Sequence, residues 1–511
     1  MRQHFGPGVL LASTIVGLVI SFSMLVEHTE GTGGNIVAVP YRESQVGDTS
    51  ISLDALGNPV ISFVDVESWS LKVLHCGNGT CSSDNTVATP ALNVLSNGRN
   101  PLALDAAGNP VISYVELADG TNGPLKVLHC GNATCTTGNV VAAADPEIAR
   151  AGEPSLALDA EGKPVIAFVE LGELGLDDYA LKVVRCGNAT CTANNVSTTI
   201  ESGPVLRPSL ALDASGNPVI AYSTISPGAS GVILPPSPPP LDLKIVRCGN
   251  PSCSSHNTIT VVDSGVSFPL LSLDEAGRPV IAYSSDSGLK LLRCGNADCT
   301  SGNSIVSLAT NLRGANLALA LDHDIPVVVY DTFSSELFGS DLLVLRCGDA
   351  TCSSGNTIAT VDTAGASSSL VLDDSGKPSI SYSWQEGQTP VLKVLRCGDP
   401  ACGGALAKAT PSNTPVFGDT ATPTEPATRT PTPTRTPTRT PTPTSVSPRG
   451  DVTCDGIANS VDALFILQYQ AGLIPSLPCL GAADVNRDGT IGPLDALLIL
   501  QYGAGLIPAL A

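Results

Sequence analysis

This 511-residue sequence is short of charge, of basic residues in particular, and of histidine. Charged residues make up 14% of it, and 26 Lys and Arg stand against 47 Asp and Glu, for a net charge of −21. Phosphate backbones need a basic surface, so a nucleic-acid partner is excluded. The acidity keeps the chain soluble and suits a calcium-tolerant surface. Solvent-facing positions fall instead to Ser, Thr and Asn. With six histidines, no acid pair recurring through the chain and no nucleophile elbow, nothing nominates a catalytic machine. Trp-Asp repeats and Ser-x-Asp-x-Gly-x-Thr-Trp boxes are absent as well.

Cysteine is plentiful and ordered. Fourteen of the sixteen cysteines form seven pairs with four residues between partners, recurring about every 53 residues. A period near 50 marks stacked supersecondary units. The whole unit recurs: a run such as Ser209–Asp213, a turn, Pro218–Tyr222, a variable loop, Leu243–Cys248, a tight turn, and Thr258–Val262. Seven repeats of four short strands predict a mainly β fold, a seven-bladed β-propeller with four-stranded blades. The first turn reads Asp-x-x-Gly-x-Pro, as in Asp54/Gly57/Pro59 and Asp213/Gly216/Pro218. Asp bonds its own turn, Gly supplies positive φ, and Pro opens the next strand. The sixth repeat departs, with Asp322-His-Asp-Ile-Pro326 one residue short and lacking Gly. An aromatic closes each second strand (Phe63, Tyr114, Phe168, Tyr222, Tyr283, Tyr330, Tyr382) and reads as a packing ring before it reads as a sugar platform.

The array runs over residues 35–408. Its N-terminal run Ile36–Val39 matches fourth strands such as Thr357–Val361, whereas Gly403–Lys408 is a poor strand. The N-terminal run is therefore expected beside Leu392–Arg396, closing the ring and removing open edges. Even, regular cysteine spacing implies disulfides and an oxidising compartment. The expected pairs are Cys76–Cys81, Cys130–Cys135, Cys186–Cys191, Cys248–Cys253, Cys294–Cys299, Cys347–Cys352 and Cys397–Cys402. Zinc sites want two-residue spacers and four convergent ligands, which pairs on separate blades do not offer.

Residues 1–30 carry Arg2 and His4 ahead of an apolar run, Val9–Val26, which reads as a signal peptide or an uncleaved membrane anchor. Membrane contact is expected only through that segment. Residues 409–449 are rich in Pro and Thr, a composition that favours extended polyproline II. About forty residues at ~3.1 Å each reach roughly 120 Å if fully stretched. On the propeller, the loops that vary most are Asp65–Ser70, Glu116–Pro124, Glu170–Ala180, Ser223–Leu241, Asp331–Ser340 and Ser383–Pro390. They share one face, opposite the uniform turns, and carry acids and the two tryptophans, Trp69 and Trp384. Such loops on a rigid scaffold are where binding lives, but their acids read as a solvated rim before they read as a site.

Beyond the spacer, residues 450–511 repeat a loop–helix unit. Asp451, Thr453, Asp455, Ile457, Asn459 and Asp462 occupy positions 1, 3, 5, 7, 9 and 12 of one loop, with Gly456 at 6. Asp484, Asn486, Asp488, Thr490 and Asp495 do the same at positions 1, 3, 5, 7 and 12 of the second, with Gly489 at 6 and Gly492 at 9. Oxygens at this spacing are what Ca²⁺ needs. The duplicated loop–helix behind a Pro/Thr spacer resembles a type I dockerin domain. The resemblance implies a small all-α module that binds two Ca²⁺ and docks into a cohesin domain of a scaffold or surface protein. It implies partner contacts at loop positions 10 and 11, here Ser460, Val461, Pro493 and Leu494. Thr453 and Gly492 depart from the usual ligand types, and Pro493/Leu494 lack the usual polarity. Cys454 and Cys479 would then form a disulfide between the first loop and the inter-helix turn.

Together these features describe a secreted or cell-surface protein. The favoured reading is a non-catalytic binding head for glycan or cell-surface attachment, displayed on a cohesin-bearing partner. The alternative is a polysaccharide-degrading glycoside hydrolase or lyase, acting on O-glycosyl bonds and carried into a complex by the dockerin.

Overall fold

The computed structural model describes residues 34–42, 45–96, 100–172, 178–225, 241–310, 312–333, 340–363, 365–386, 389–404, 406–408, 449–453, 458, 460–470, 477, 479–487, 490–503 and 507. The expected leader and nearly all of the Pro/Thr spacer lie outside these residues. The chain divides into two compact units, Met1–Val416 and Phe417–Ala511.

The first unit is a seven-bladed β-propeller. Six blades are four-stranded antiparallel meanders; in blade four the strands are Val205–Leu212, Pro218–Ile225, Leu241–Arg247 and Thr258–Ser264, innermost to outermost. The second strand is the most deeply buried: all seven residues of Pro59–Asp65 in blade one are buried. Both faces of such a strand meet neighbouring blades, which is why these runs are continuously apolar rather than alternating. Ile61, Phe63 and Leu74 of blade one pack with Leu392 and Val394 of blade seven. Tyr222, Tyr283, Tyr330, Tyr382, Phe63 and Phe168 are the bulkiest fully buried side chains. The aromatic repeat is a packing ring.

Blade seven takes its fourth strand from the other end of the chain. Asn35–Tyr41 pairs antiparallel with Thr389–Arg396, in the register Ile36↔Arg396 and Ala38↔Val394. Leu406–Lys408, which reads as too poor for a strand, adds a short fifth strand parallel to it, Ile36 opposite Ala407. Asn35 explains the fit. In six blades an Asn bonds the cysteine turn: Asn85 Nδ2 donates to Cys81 O, and Gly77 N donates to Asn85 Oδ1. In blade seven Asn35 does the same from 367 residues away, donating to Cys402 O at 2.8 Å and accepting from Gly398 N at 3.2 Å.

Both uniform turns lie at one end of the blades. Asp54 Oδ1 accepts the N–H groups of Leu56 and Asn58 at 2.8 Å, while Gly57 holds φ 78°. The second oxygen of each turn Asp meets the residue before the first cysteine: His75 and His129 in blades one and two, Arg185, Arg247, Arg293, Arg346 and Arg396 beyond. The shortened sixth turn keeps that pair, and His323 takes the left-handed position at φ 54°. All seven cysteine pairs are disulfides, with Cα atoms 4.7–5.0 Å apart. A Cβ on Gly131, just after the first cysteine of its pair, would lie 2.5 Å from the Gly138 backbone, so this position admits glycine alone. Glu116–Pro124 is not a long loop. Strands Pro110–Ala118 and Thr121–His129 run on to Asp119-Gly120, whose φ values of 49° and 77° suit a tight hairpin turn.

In the second unit, α1 (Ser460–Gln470) and α2 (Pro493–Gly503) pack together. Ala463 and Ile466 meet Ala496 and Ile499 in a core completed by Val452, Leu477, Ala483 and Val485. Each helix contributes the same two positions, as duplication demands.

Candidate metal centre and docking module

The last position of each calcium-type loop anchors that loop to the helix it opens. Asp462, wholly buried, accepts the N–H groups of Val452 at 2.9 Å and Thr453 at 3.0 Å through Oδ1. Asp495 does the same one repeat later, accepting Val485 N at 2.9 Å and Asn486 N at 3.2 Å. Its Oδ2 also accepts Gly492 N at 2.9 Å, which caps the start of α2. Loop positions 2 and 3 are thus bonded to position 12 in both copies.

This wraps each loop onto its own helix and gathers oxygens. The Thr453 hydroxyl lies 3.0 Å from Asp462 Oδ1 and 3.5 Å from Asp451 Oδ1. Asp451, Asp462 and Asp495 are all at most 1% exposed. Carboxylates withdrawn so far from water need hydrogen bonds, cationic partners or a metal. The donor set is entirely oxygen, carboxylate and hydroxyl, the chemistry a hard divalent cation takes. Donors of this type suit Ca²⁺, although among the described residues no group of three or more acids is drawn together around one point. Asp484, Asn486 and Thr490 occupy the corresponding part of the second loop, while Asp455, Ile457, Asn459 and Asp488 lie outside the described residues. Cys479 is disulfide-bonded; Cys454 also lies outside the described residues.

The expected docking positions fall at the helix starts. Ser460 and Val461 open α1; Pro493 and Leu494 open α2 and are exposed, Leu494 to 53%. Leu497 and Leu500 are exposed farther along α2, and Leu467 on α1. Reading the sequence by loop position does not find these leucines, although their recurrence at three-residue spacing along α2 is a usable signal.

On the propeller, several of the described acids toward the variable face are engaged. Glu116 and Glu170 pair with Lys126 at 3.3 Å and Lys182 at 2.9 Å of their own blades. In blades four, five and seven the acid comes from the preceding blade's outer strand. Glu201 bonds Tyr222 and Lys244, Asp263 bonds Tyr283 and Lys290, and Asp362 bonds Tyr382 and Lys393. Burial, and then the adjacent carboxylate, pushes the Tyr222 and Tyr283 phenols well above their ordinary range. These clusters staple neighbouring blades. Trp384 is held by Lys393, 3.7 Å from its ring centroid, and by a 2.5 Å bond to Thr363 O, while Trp69 is 40% exposed. No described helix is long and apolar enough to cross a membrane.

The family model for the dockerin type I domain matches residues 449–502, the unit just described. No curated protein matches the chain. Several solved structures are similar to the propeller. A protein of unknown function from Dyadobacter fermentans is 11% identical, with 70% of this chain and 97% of that one covered and a TM-score of 0.44. An ulvan lyase solved with a bound saccharide is 9% identical, with 69% and 95% covered and a TM-score of 0.45. An α-L-arabinofuranosidase from Fusarium graminearum, in complex with arabinobiose, is 13% identical, with 71% and 98% covered and a TM-score of 0.40. Scores this low carry no argument about what this chain does.

Proposed function

We propose that this chain, whose residues 449–502 match the dockerin type I domain, is a secreted or cell-surface protein whose propeller is a binding head for polysaccharide or cell-surface glycan. The C-terminal module docks it, with calcium, to a cohesin domain of a scaffold or surface protein. Residues 1–30 direct export, and residues 409–449 are the spacer that lets the head range away from its dock. The observation that carries this reading is the duplicated clamp: Asp462 and Asp495 each bond the N–H groups of loop positions 2 and 3 while lying buried at the start of a helix.

Calcium, when bound, supplies the positive charge that lets these carboxylates share a site. Two loops imply two ions. Each Asp at position 12 keeps its loop folded over its helix, and Asp451, Thr453, Asp484, Asn486 and Thr490 present oxygens to the same centres. The starts of α1 and α2, with Ser460, Val461, Pro493 and Leu494, form the docking surface. Because Leu494, Leu497 and Leu500 are exposed, apolar burial contributes to docking.

Calorimetry on the full chain with a type I cohesin tests this reading. Binding is expected in calcium and lost in chelator, and Asp462→Ala together with Asp495→Ala is expected to abolish it while the propeller still melts as before. Cohesin binding that persists in chelator, or no calcium binding at millimolar concentration, overturns it.

A further inference from the structure

We infer that the mouth of the propeller's central channel, at the variable-loop end, binds a neutral sugar ring, with Arg207 as the anchor. The inference rests on reading the propeller as a saccharide-binding head.

The inner strands begin at that end, and those of blades three, four, five and seven are distorted there. Register shifts fall between Gly152 and Ser155, Leu206 and Ser209, Ser267 and Leu270, and Ala366 and Ser369. The residue displaced at each bulge is left-handed: Glu153 at φ 50°, Arg207 at 56°, Phe268 at 54° and Ser367 at 50°. Bulky residues rarely adopt this backbone, and such outliers gather where a ligand is held. The acid–Tyr–Lys clusters elsewhere staple blades without it, so joining blades does not require it.

The displaced side chains meet around the rim. The backbone N–H of Arg207 donates to Glu153 Oε2 at 2.6 Å, and Arg207 Nε lies 3.8 Å from Glu153 Oε1. The guanidinium stacks 3.2 Å from the Phe268 ring centroid, on the next blade round. Arg207 and Glu153 side chains remain 31% and 30% exposed. Among the described residues, the two terminal nitrogens of Arg207 have no hydrogen-bond partner. A planar fork of donors is thereby held in place, one carboxylate beside it.

Below the rim lies a cavity of about 200 Å³ walled by all seven blades. The Oγ atoms of Ser50, Ser155, Ser209 and Ser369 accept the N–H of Leu102, Leu210, Leu271 and Ile51 on the following blade, at 2.9–3.2 Å. Each hydroxyl keeps its own proton to donate. Ser368 Oγ, also in the wall, is buried without a partner among the described residues.

Donors and acceptors side by side match an alcohol, which is both. A carboxylate or sulfate fits less well, because Glu153 half-neutralises Arg207 and the whole chain carries −21. The cavity is below the ~300 Å³ at which pockets take drug-sized ligands, so a single ring enters it.

The test is calorimetry of the full chain with neutral gluco-, xylo-, manno- and arabino-oligosaccharides and with oligogalacturonate, at low and high salt. Binding of a neutral saccharide is expected, insensitive to salt. Arg207→Lys keeps the cation but loses the planar fork, and is expected to weaken binding about tenfold or more with an unchanged melting temperature. Phe268→Leu, which removes the stacking face, is expected to act in the same direction. If saccharide binds and neither variant weakens it, the inference is wrong and the binding-head reading stands. Binding of oligogalacturonate alone overturns the neutral-ring assignment, and no saccharide binding at all overturns both.

Discussion

Replacing Asn35 by Ala is expected to open the ring at a single seam. The Asn35 side chain is 1% exposed and makes three hydrogen bonds: to Cys402 O at 2.8 Å, to Gly404 O at 2.9 Å, and from Gly398 N at 3.2 Å. At about 1 kcal/mol each, with their partners left buried and unpaired, the loss comes to about 3 kcal/mol. A propeller of roughly 370 residues unfolds with about 2.1 cal/mol/K per residue, so the melting temperature should fall by about 4 °C. Asn303 is the control. It bonds its cysteine turn in the same way, through Cys299 O at 2.7 Å and Gly295 N at 3.1 Å, but it is exposed, and its strand is held to its blade by the chain itself. Asn303→Ala should lower stability by only about 1 kcal/mol, since water replaces the lost bonds. Scanning calorimetry measures both shifts. Hydrogen exchange should also rise along Asn35–Tyr41 and Thr389–Arg396 in the first variant alone. Equal shifts for the two variants, with no local rise in exchange, would refute the idea that closure depends on this side chain.

Two further perturbations probe the blade junctions. Burial pushes the Asp263 carboxyl upward, but hydrogen bonds from Tyr283, the Ser264 N–H and Lys290 outweigh it and hold the group below its usual range. A lowered folded-state pKa gives stability that is present above the unfolded value of about 3.9 and lost as pH falls through the folded one. Lys290→Met should therefore melt below the parent at neutral pH, with the gap closing in acid; a gap that stays constant across the titration rejects the pairing as its cause. Changing Cys248 and Cys253 both to Ser releases a small closed loop, for which the chain-entropy account gives about 2 kcal/mol. The effect should stay within that turn, so a thermal scan showing loss of the whole fold would contradict a merely local role.

The period, the strand count and the two loop–helix units were legible in the chain because each depends on residues close in sequence. A turn needs its Asp, Gly and Pro within six positions, and a calcium loop needs its oxygens within twelve. Closure was legible for a related reason: Ile36–Val39 is a displaced copy of a fourth strand such as Thr357–Val361. The short strand Leu406–Lys408 was not, since its three residues have little strand character and are ordered by the exposed edge of Asn35–Tyr41 beside them. The exchange of acids between blades was hidden too. Lys182 finds Glu170 in its own blade, whereas Lys244 finds Glu201 in the blade before, and no local spacing tells the two apart. Most of all, the rim of Glu153, Arg207 and Phe268 joins residues more than fifty positions apart along the chain. Each reads as an ordinary strand residue before a proline. Only the bulges in these inner strands turn those side chains to face one another.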